Sequence, residues 1–391
     1  MGINSMLNNI TLSEWNEDIT NNLMPNIVIL AVHIALGTIG NVLVILVYAF
    51  QMRGASEERY FIPILAFFDM IAVIYVGGYY IFQSCNQTIF SNNILCKTLV
   101  FFAGNTTYNS VFILFIIAIQ RYMKVCRPRK QPMTISVKRT ALFLALLMSL
   151  ICALPLPFVF GTVPFHNIDF GIYGMRCGRL KDGHPLVRTV YSVVAGLFVF
   201  VIVTSLIVIY GRIIGTVFRR LQVNKKDLRS NEKRSETTDR GENNPVVDGF
   251  KGIEMVSITD KTIKHSTALQ TRTNLTGHNI ESAATKQRRT TNRRLTYKLT
   301  VMFLIITTVF LLSYIPKVVL LFLEGINEDF WETLSASQRP GVTFLYHIFI
   351  LHNIVNPIVY AFFDIEFRQD AALVFKRLFI KPCICSSEIQ L

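Results

Sequence analysis

Two ionisable side chains and one polar kink lie inside segments that are otherwise apolar. Asp69 and Lys317 are each flanked by long hydrophobic runs. From Asn356 to Tyr360 the chain reads Asn-Pro-Ile-Val-Tyr, which places an amide, a helix breaker and a phenol in another such run. A buried carboxylate needs a cation or hydrogen-bond donors, and a buried ammonium needs an acceptor or an anion. These residues therefore predict a polar interior within a membrane bundle.

Composition supports a membrane location. Hydrophobic residues make up 51% of the 391 residues and charged residues 16%, whereas soluble domains carry about 25% charged residues. The hydrophobic residues form blocks of about 20, the length that spans a bilayer as a helix. The net charge of +14 does not indicate nucleic-acid binding, because the basic residues concentrate in loops on one side of the blocks. Cytoplasmic loops of membrane proteins show this bias.

Seven blocks are long enough to cross the membrane. They run over 27–50, 60–82, 95–126, 139–160, 185–214, 297–323 and 342–363. After them, apolar residues recur at helical spacing from Phe367 to Phe379, which predicts an amphipathic helix along the membrane surface. The predicted fold class is an all-α membrane protein, a seven-transmembrane helix bundle with a short amphipathic eighth helix.

The loops predict the orientation of the chain. The segment 1–26 is acidic and lacks Lys and Arg, whereas the loop that follows the third block is strongly basic. This bias predicts a multi-pass membrane protein with its N-terminus outside and its C-terminus inside, although Arg176 and Arg179 lie in an outer loop. The sequons at Asn9 and Asn86 fall outside and predict glycosylation. We expect no cleavable signal peptide, so the first block acts as the insertion signal.

Two segments are predicted to lie in the cytoplasm. Residues 221–294 are rich in polar and basic types and poor in large apolar ones, which predicts a disordered loop within the 27–363 membrane domain. Its basic ends predict either a lipid-facing charge cluster or a docking site for an acidic partner. Residues 364–391 hold the amphipathic helix and the tail. There Cys383 and Cys385 are either palmitoylated or unmodified thiols.

Three of the seven cysteines fall on the predicted outside, where disulfides persist: Cys85, Cys96 and Cys177. A bond from Cys96 to Cys177 would pin the loop between the fourth and fifth blocks over the mouth of the bundle. Cys85 with Cys177 is the competing pair. The residues alone leave both pairings open.

An ordered set of short motifs runs through the blocks. It comprises Gly40-Asn41, Leu65-Ala66-Phe67-Phe68-Asp69, Cys96, Gln120-Arg121-Tyr122, Tyr210, Phe310, Pro316, the Asn356 to Tyr360 run and Phe367. Except in the N-terminus and the long inner loop, the chain resembles the rhodopsin-like (class A) G-protein-coupled receptors. Within this resemblance Cys96 opens the third span, and we predict the Cys96–Cys177 disulfide.

The chain departs from the family pattern at four positions. Gln120 replaces an acid, Tyr314 replaces a Trp, and Leu146 and Ile202 stand in place of a Trp and a Pro. These departures are typical of a divergent, orphan-type member. Amine receptors carry an Asp where this chain has Ala103, and opsins carry a Lys where it has Ile350. The resemblance is therefore to a peptide-receptor-like member rather than to those two subfamilies.

The resemblance implies a sodium site in the interior. Asp69, Ser110, Asn353 and Asn356 match positions that hold a sodium ion in the family's inactive state, and oxygen ligands suit this hard cation. Asp69 is the predicted metal ligand of this set. The alternative is that Asp69 is hydrogen-bonded to Asn41 and Asn356 through water.

The resemblance also implies a switch that opens a cytoplasmic cleft. Its residues are Gln120, Arg121, Tyr122, Tyr210, Phe310, Tyr314, Pro316, Pro357 and Tyr360. In the family the acid before the Arg holds it in the inactive state. Gln120 accepts a hydrogen bond but carries no charge, and charge-assisted bonds are about twice as strong. We therefore predict raised basal signalling.

The ligand site is predicted around Lys317 in the sixth span. Its ammonium either pairs with Glu324, two turns away on the same helix, or anchors a ligand carboxylate. Thr107, Tyr79, Tyr80, Tyr191 and Tyr346 match the family's pocket-lining positions. They predict an aromatic pocket with one cation, suited to a peptide or an acidic small molecule, although aromatic residues at span ends also form interfacial belts.

The resemblance implies a ligand-activated receptor of the plasma membrane that is not an enzyme and has no cofactor other than an allosteric sodium ion. Its implied partners are an extracellular ligand, a heterotrimeric G protein, arrestin, a receptor kinase and the bilayer, with no nucleic acid. Outward movement of the sixth helix would activate the G protein. The alternative function is a membrane transporter or channel. Against it, the sequence shows no internal repeat, and its intramembrane charges are few and separated.

Overall fold

The structure is a computed structural model that describes residues 10–50, 59–129, 131–167, 171–180, 185–238, 273–327 and 329–379. The chain divides into two units. The first consists of Met1–Ile213 with Lys298–Leu391, and the second of Ile214–Tyr297. Asn9, Cys383 and Cys385 lie outside the described residues, so the glycosylation of Asn9 and the palmitoylation of the two cysteines stay predictions.

Among the described residues, seven helical segments are long and apolar enough to cross a membrane, which confirms the predicted bundle. The helices are α1 (Leu12–Asn22), α2 (Met24–Phe50), α3 (Phe61–Cys85), α4 (Asn93–Cys126), α5 (Ile135–Ala153), α6 (Leu156–Val159), α7 (Pro185–Thr238), α8 (Thr273–Ile326), α9 (Arg339–His347), α10 (His352–Phe363) and α11 (Ile365–Phe379). The spans are α2, α3, α4, α5 with α6, Val193–Arg220 of α7, Leu295–Ile326 of α8, and α9 with α10.

The fourth span begins earlier than predicted. It was expected from Arg139, whereas α5 begins at Ile135. Thr134 is the N-cap, and its hydroxyl accepts a hydrogen bond from the backbone N–H of Val137 at 3.4 Å. The cap satisfies a donor that an apolar end would leave unpaired, so the helix starts in the polar segment before the apolar run.

The seventh span is interrupted where a single helix was predicted. A 3₁₀ turn at Ile348–Leu351 separates α9 from α10. His352 follows it, and its Nδ1 is hydrogen-bonded to the Phe349 carbonyl oxygen. A short 3₁₀ stretch inside a helix often marks a hinge. The chain therefore changes its winding one turn before the Asn356-Pro357 kink.

Both long helices extend into the segment predicted to be disordered. α7 continues to Thr238 and α8 begins at Thr273, so residues 221–238 and 273–294 are helical. Adding one residue to an existing helix needs no new nucleus, which lets a polar segment continue a membrane helix. Within the second unit, Arg220 donates to the hydroxyl of Tyr297 at 3.3 Å. Residues 239–272 lie outside the described part.

A short helix precedes the first span and was not predicted. α1 begins with a capping box: the Glu14 N–H donates to the Thr11 hydroxyl at 3.3 Å, and the Thr11 N–H donates to the Glu14 carboxylate at 2.7 Å. These bonds hold the pKa of Glu14 below its usual value. Trp15 and Ile19 are buried against Phe165. The Thr-x-x-Glu spacing was the sequence signal for this helix.

A β-hairpin crosses one end of the bundle, which we call the hairpin end. β1 (Phe160–Asn167) pairs antiparallel with β2 (Ile172–Arg179), from Phe160 opposite Arg179 to Asn167 opposite Ile172. In the part of the chain that the structure describes, the predicted all-α bundle therefore carries one two-stranded sheet. Cys177 of β2 is bonded to Cys96 at the start of α4. The predicted pairing is confirmed, and Cys85 is not in a disulfide.

The amphipathic eighth helix is α11, at the opposite end, which we call the α11 end. Phe367, Ala371 and Val374 are buried, whereas Phe375 is exposed. Two acids lie at the start of this helix, Asp364 just before it and Glu366 in its first turn. Arg59 pairs with Asp364 at 2.9 Å and with Glu366 at 2.8 Å, so α11 is fastened to the chain just before α3.

Candidate functional site

The polar interior lies where spans one, two and seven meet. Asn356 donates to the carboxylate of Asp69, which has no solvent exposure. Asn41 donates to the carbonyl oxygens of Gly37 and Asn353, each at 2.9 Å. The alternative in which Asp69 meets Asn356 only through water is therefore wrong, because their bond is direct.

The remaining oxygens of this interior suit a hard cation. Among the described residues, Asp69 Oδ1 and the side-chain oxygens of Asn41, Asn353 and Asn356 are buried without a hydrogen-bond partner. Ser110 differs, because its hydroxyl donates to the Thr106 carbonyl at 3.3 Å. Buried acceptors need a donor, a water molecule or an ion. One carboxylate with amide oxygens fits sodium, for which Asp69 would supply the charge.

The glycines of span one allow the close approach of the seventh span. A Cβ on Gly40 would lie 3.0 Å from the Cβ and Cγ of Pro357. A side chain there would push the kink away from α2. Gly40 therefore positions the Asn356-Pro357 segment against the polar interior.

Arg121 lies in the interior near the α11 end and is completely buried. Its Nη2 donates to Gln120 Oε1 at 3.3 Å, and its guanidinium lies 5.1 Å from the ring centre of Phe303 on α8. The predicted contact between Gln120 and Arg121 is therefore present. It joins a charged guanidinium to a neutral amide oxygen. Tyr122 instead lies outside this group, where its ring faces Arg127 at 5.8 Å.

The two switch tyrosines have different surroundings. The Tyr210 hydroxyl donates to the Phe303 carbonyl oxygen at 3.4 Å and accepts a bond from Thr307 at 3.0 Å. Tyr210 thereby fastens α7 to α8. Tyr360 is buried next to Phe367 of α11, with ring centres 6.2 Å apart, and its hydroxyl has no hydrogen-bond partner within the described residues.

Lys317 lies in the aromatic pocket of the hairpin end. Its ammonium donates to the Tyr80 hydroxyl at 2.7 Å and lies 3.6 Å from the ring centre of Phe349 and 4.8 Å from that of Tyr346. Among the described residues no ion pair within 4 Å joins Lys317 to Glu324, so the structure does not show the internal pair, which was one of the two alternatives. Seven residues of helix separate these two by about 10 Å along the axis, too far for a direct pair.

The other predicted pocket residues divide into two groups. Tyr79 packs on Tyr80 at 4.9 Å, and its hydroxyl contacts the sulfur of Cys177 at 3.7 Å. Thr107 donates to the Ala103 carbonyl of its own helix at 2.9 Å, and Tyr191 hydrogen-bonds with Tyr108. The structure brings Tyr79, Tyr80 and Tyr346 to Lys317 and places Thr107 and Tyr191 on other contacts.

Three pocket residues were missed as ligand contacts in the sequence. Phe349 is the ring closest to the ammonium, His347 packs on Tyr80 with ring centres 4.2 Å apart, and Trp331 packs on Tyr346 at 5.5 Å. Phe349 follows Tyr346 by three residues, which places both on one helical face. That spacing was a usable signal, whereas Trp331 lies in a loop that no periodicity describes.

Aromatic contacts connect this pocket to the polar interior. Tyr314 packs on Phe349 at 5.2 Å and on Phe310 at 4.6 Å. Phe310 and Tyr314 both face His352, at 5.1 Å and 5.4 Å. Pro316 lies in α8 between Tyr314 and Lys317. A displacement at Lys317 therefore has a packed route to the turn before Asn353.

Comparison with known proteins decides the class of this site. Residues 40–360 match the family described as 7 transmembrane receptor (rhodopsin family). The chain belongs to the rhodopsin family of seven-transmembrane receptors. Members of this family are signalling receptors and not enzymes, so the family assignment favours the receptor over the transporter or channel.

Known receptors align with this chain over different fractions of its length. A cholecystokinin receptor of Xenopus laevis is 23% identical over 375 residues, covering 93% of this chain and 79% of that protein. Bombesin receptor subtype-3 of Ovis aries is 26% identical over 196 residues, covering 50% and 49%. The crystal structure of squid rhodopsin has a TM-score of 0.60 at 16% identity, covering 90% of this chain and 84% of that one, which shows the shared fold.

Proposed function

We propose that this receptor binds an acidic extracellular ligand, with a peptide favoured over a small molecule, and activates a heterotrimeric G protein. In this proposal the hairpin end faces the outside of the plasma membrane and the α11 end faces the cytoplasm. Lys317 anchors a ligand carboxylate. Arrestin and a receptor kinase are further proposed partners on the cytoplasmic side.

The observation that carries the proposal is the environment of Lys317. Its ammonium has one hydrogen bond, to Tyr80, and three aromatic faces, but no carboxylate within 4 Å among the described residues. An ammonium inside a bundle is stabilised further by an anion. The names of similar proteins, the cholecystokinin, bombesin and neuromedin U receptors, support a peptide as the source of that anion.

Activation follows from differential binding. A ligand on Lys317 that prefers the arrangement with α8 displaced outward shifts a pre-existing equilibrium toward it. Pro316 and Pro357 interrupt the helical hydrogen-bond ladder and allow the bend. Arg121 is then released from Gln120 and Phe303 to meet the G protein. Sodium at Asp69 stabilises the resting arrangement.

The test is a peptide-library screen on cell membranes with G-protein nucleotide exchange as the readout. For each active peptide, Lys317→Ala should weaken activation at least tenfold, whereas Glu324→Ala, seven residues further on the same helix, should weaken it less. An amidated form of the peptide should lose activity on the wild type. Equal losses in the two variants would contradict the anchoring role of Lys317.

A further inference from the structure

The guanidinium of Arg176 in the β-hairpin is buried, and its Nε has no hydrogen-bond partner among the described residues. Arg176 of β2 is 7% exposed. It lies 5.5 Å from the ring centre of Phe165 and 5.9 Å from that of Trp331. In the part of the chain that the structure describes, no carboxylate lies within 4 Å of it and its Nε has no hydrogen-bond partner. Buried donors of this kind are normally satisfied by protein, water or a ligand.

A second guanidinium shares the same ring. Arg339, the first residue of α9, lies 5.1 Å from the ring centre of Phe165 and donates to the Leu334 carbonyl at 3.2 Å. Burial lowers the pKa of Arg176, and the more distant carboxylates of Glu324 and Glu332 oppose this effect. Two like charges on one ring repel each other, so an anion between them would be favoured.

The walls around these two groups are fixed before any ligand binds. Trp15 of α1 stacks on Phe165 with ring centres 5.2 Å apart. Asn16 holds α1 in place, because it donates to the Cys85 carbonyl at 2.9 Å and accepts from the Thr88 N–H at 3.1 Å. A rigid cationic surface avoids much of the ordering that binding otherwise requires.

We propose that Arg176 and Arg339 form an anion-binding subsite at the hairpin end, which takes a carboxylate, sulfate or phosphate group. Guanidinium groups match the geometry of these oxyanions. The inference rests on the proposed function, since the ligand reaches Lys317 from this end. Trp331 contacts both Arg176 and Tyr346, so one ligand with two acidic groups can bind Arg176 and Lys317 together.

A purely structural role for Arg176 makes the opposite prediction for stability. If the guanidinium only holds Phe165 and Trp331 in place, Arg176→Met should lower the Tm of the ligand-free receptor. If it is a binding group held without a partner, Arg176→Met removes an uncompensated buried charge and should leave the Tm equal or higher.

The experiment uses potassium sulfate and potassium N-acetylglutamate as probes on the purified full-length receptor, against potassium chloride at the same ionic strength. Each anion should raise the Tm in a saturable manner, by about 2–4 °C at ten times its Kd. The saturable rise should be lost in Arg176→Met and Arg339→Met. It should remain in Arg179→Met, which removes an equal charge from the same strand. The general stabilisation by sulfate is not saturable and is common to all variants.

The subsite would be contradicted if the anions raised the Tm of Arg176→Met and Arg179→Met by the same saturable amount as that of the wild type. It would also be contradicted if the anions produced no saturable rise in the Tm of the wild type. Arg176→Lys covers the case in which Arg176→Met does not fold, and it should show a weaker shift because it lacks the planar fork. If neither variant folds, Arg176 is structural and the proposal is wrong. The loss of peptide-driven nucleotide exchange in Lys317→Ala, compared with Glu324→Ala, separately tests the proposed function on which this subsite rests.

Discussion

Asp69 is a buried carboxylate with one bonded oxygen and one oxygen that is free of hydrogen bonds within the described residues. A cation that binds only the folded state stabilises it by about 1.4 kcal/mol at ten times its Kd. We therefore expect sodium chloride to raise the Tm of the receptor above its value in choline chloride. The rise should disappear in Asp69→Asn and remain in part in Ser110→Ala, whose hydroxyl is turned toward its own helix. An unchanged sodium effect in Asp69→Asn would exclude this site.

Gln120 is the residue that sets the resting position of Arg121 in our proposal. Exchanging its neutral acceptor for a carboxylate should strengthen the bond to Arg121 by about 1 kcal/mol, or about fivefold in the equilibrium between the resting and active arrangements. Gln120→Asp should therefore lower basal nucleotide exchange, whereas Gln120→Asn, which has the same length without the charge, should not. Basal exchange in wild-type membranes that equals that of receptor-free membranes would contradict the prediction.

The interior residues differ in how far the sequence could predict their partners. The sequence predicted that Asp69 and Asn356 are linked through a cation or a water molecule, because buried polar groups in neighbouring spans have few alternatives. The structure instead joins the two side chains directly. For Lys317 the sequence left two alternatives open, a pair with Glu324 and a ligand anchor, and it did not identify Tyr80 as the hydrogen-bond acceptor. Spacing along one helix identified Glu324, whereas the nearest acceptor is the hydroxyl of Tyr80 on another helix, and the packing of two helices is not encoded in the spacing of either one.

At the scale of elements, the attachment of α11 depends on one buried pair. The side chains of Arg59 and Asp364 are 3% and 4% exposed, whereas Glu366 is 64% exposed. Arg59→Met should destabilise the receptor by about 3–5 kcal/mol, because it leaves the Asp364 charge buried alone. Glu366→Gln, the matched exposed control, should cost about 1 kcal/mol or less.

A double-mutant cycle measures the Arg59 pair by thermal unfolding. Adding Asp364→Asn to Arg59→Met should recover part of the lost stability, since the unpaired charge is gone. Hydrogen exchange across Ile365–Phe379 should rise in Arg59→Met and fall back in the double variant. Additive losses from the two substitutions would show that the pair does not hold α11.

The hairpin is held to α4 by the Cys96–Cys177 bond. Cys177→Ser should destabilise the receptor by about 2–4 kcal/mol and speed hydrogen exchange of β1 and β2, because the sheet loses its covalent link to the bundle. Cys85→Ser is the control, since Cys85 forms no disulfide. If Cys85→Ser lowered the stability by the same amount in the same unfolding scans, the loss in Cys177→Ser could not be attributed to the disulfide.

Elements were predictable where one physical requirement dominates the sequence. Spanning a bilayer demands about 20 apolar residues, so the seven spans were evident. The hairpin was missed because β1 and β2 combine few β-branched residues with Gly and Pro, such as Gly161 and Pro164. The disulfide joins β2 to α4, and α1 packs against Phe165 of β1. The 3₁₀ turn at Ile348–Leu351 has an ordinary apolar composition, so its position depends on contacts between helices.

At the scale of the whole molecule, the proposed function requires the two ends of the bundle to be coupled. The packed rings of Phe349, Tyr314 and Phe310 join the Lys317 pocket to His352 and the polar interior. From there Asn356 and Pro357 continue toward Tyr360 and α11. A ligand transmits a signal along such a route only if it binds one arrangement better than the other.

The proposed function is tested most directly by measuring guanine-nucleotide exchange on purified G protein in membranes that contain this receptor. A peptide that activates the wild type should act from the hairpin end, and the proposal predicts that Arg121→Ala abolishes the exchange while the binding of that peptide to membranes persists. Peptide-dependent exchange that is unchanged in Arg121→Ala, or no exchange above receptor-free membranes with any ligand that binds, would contradict it.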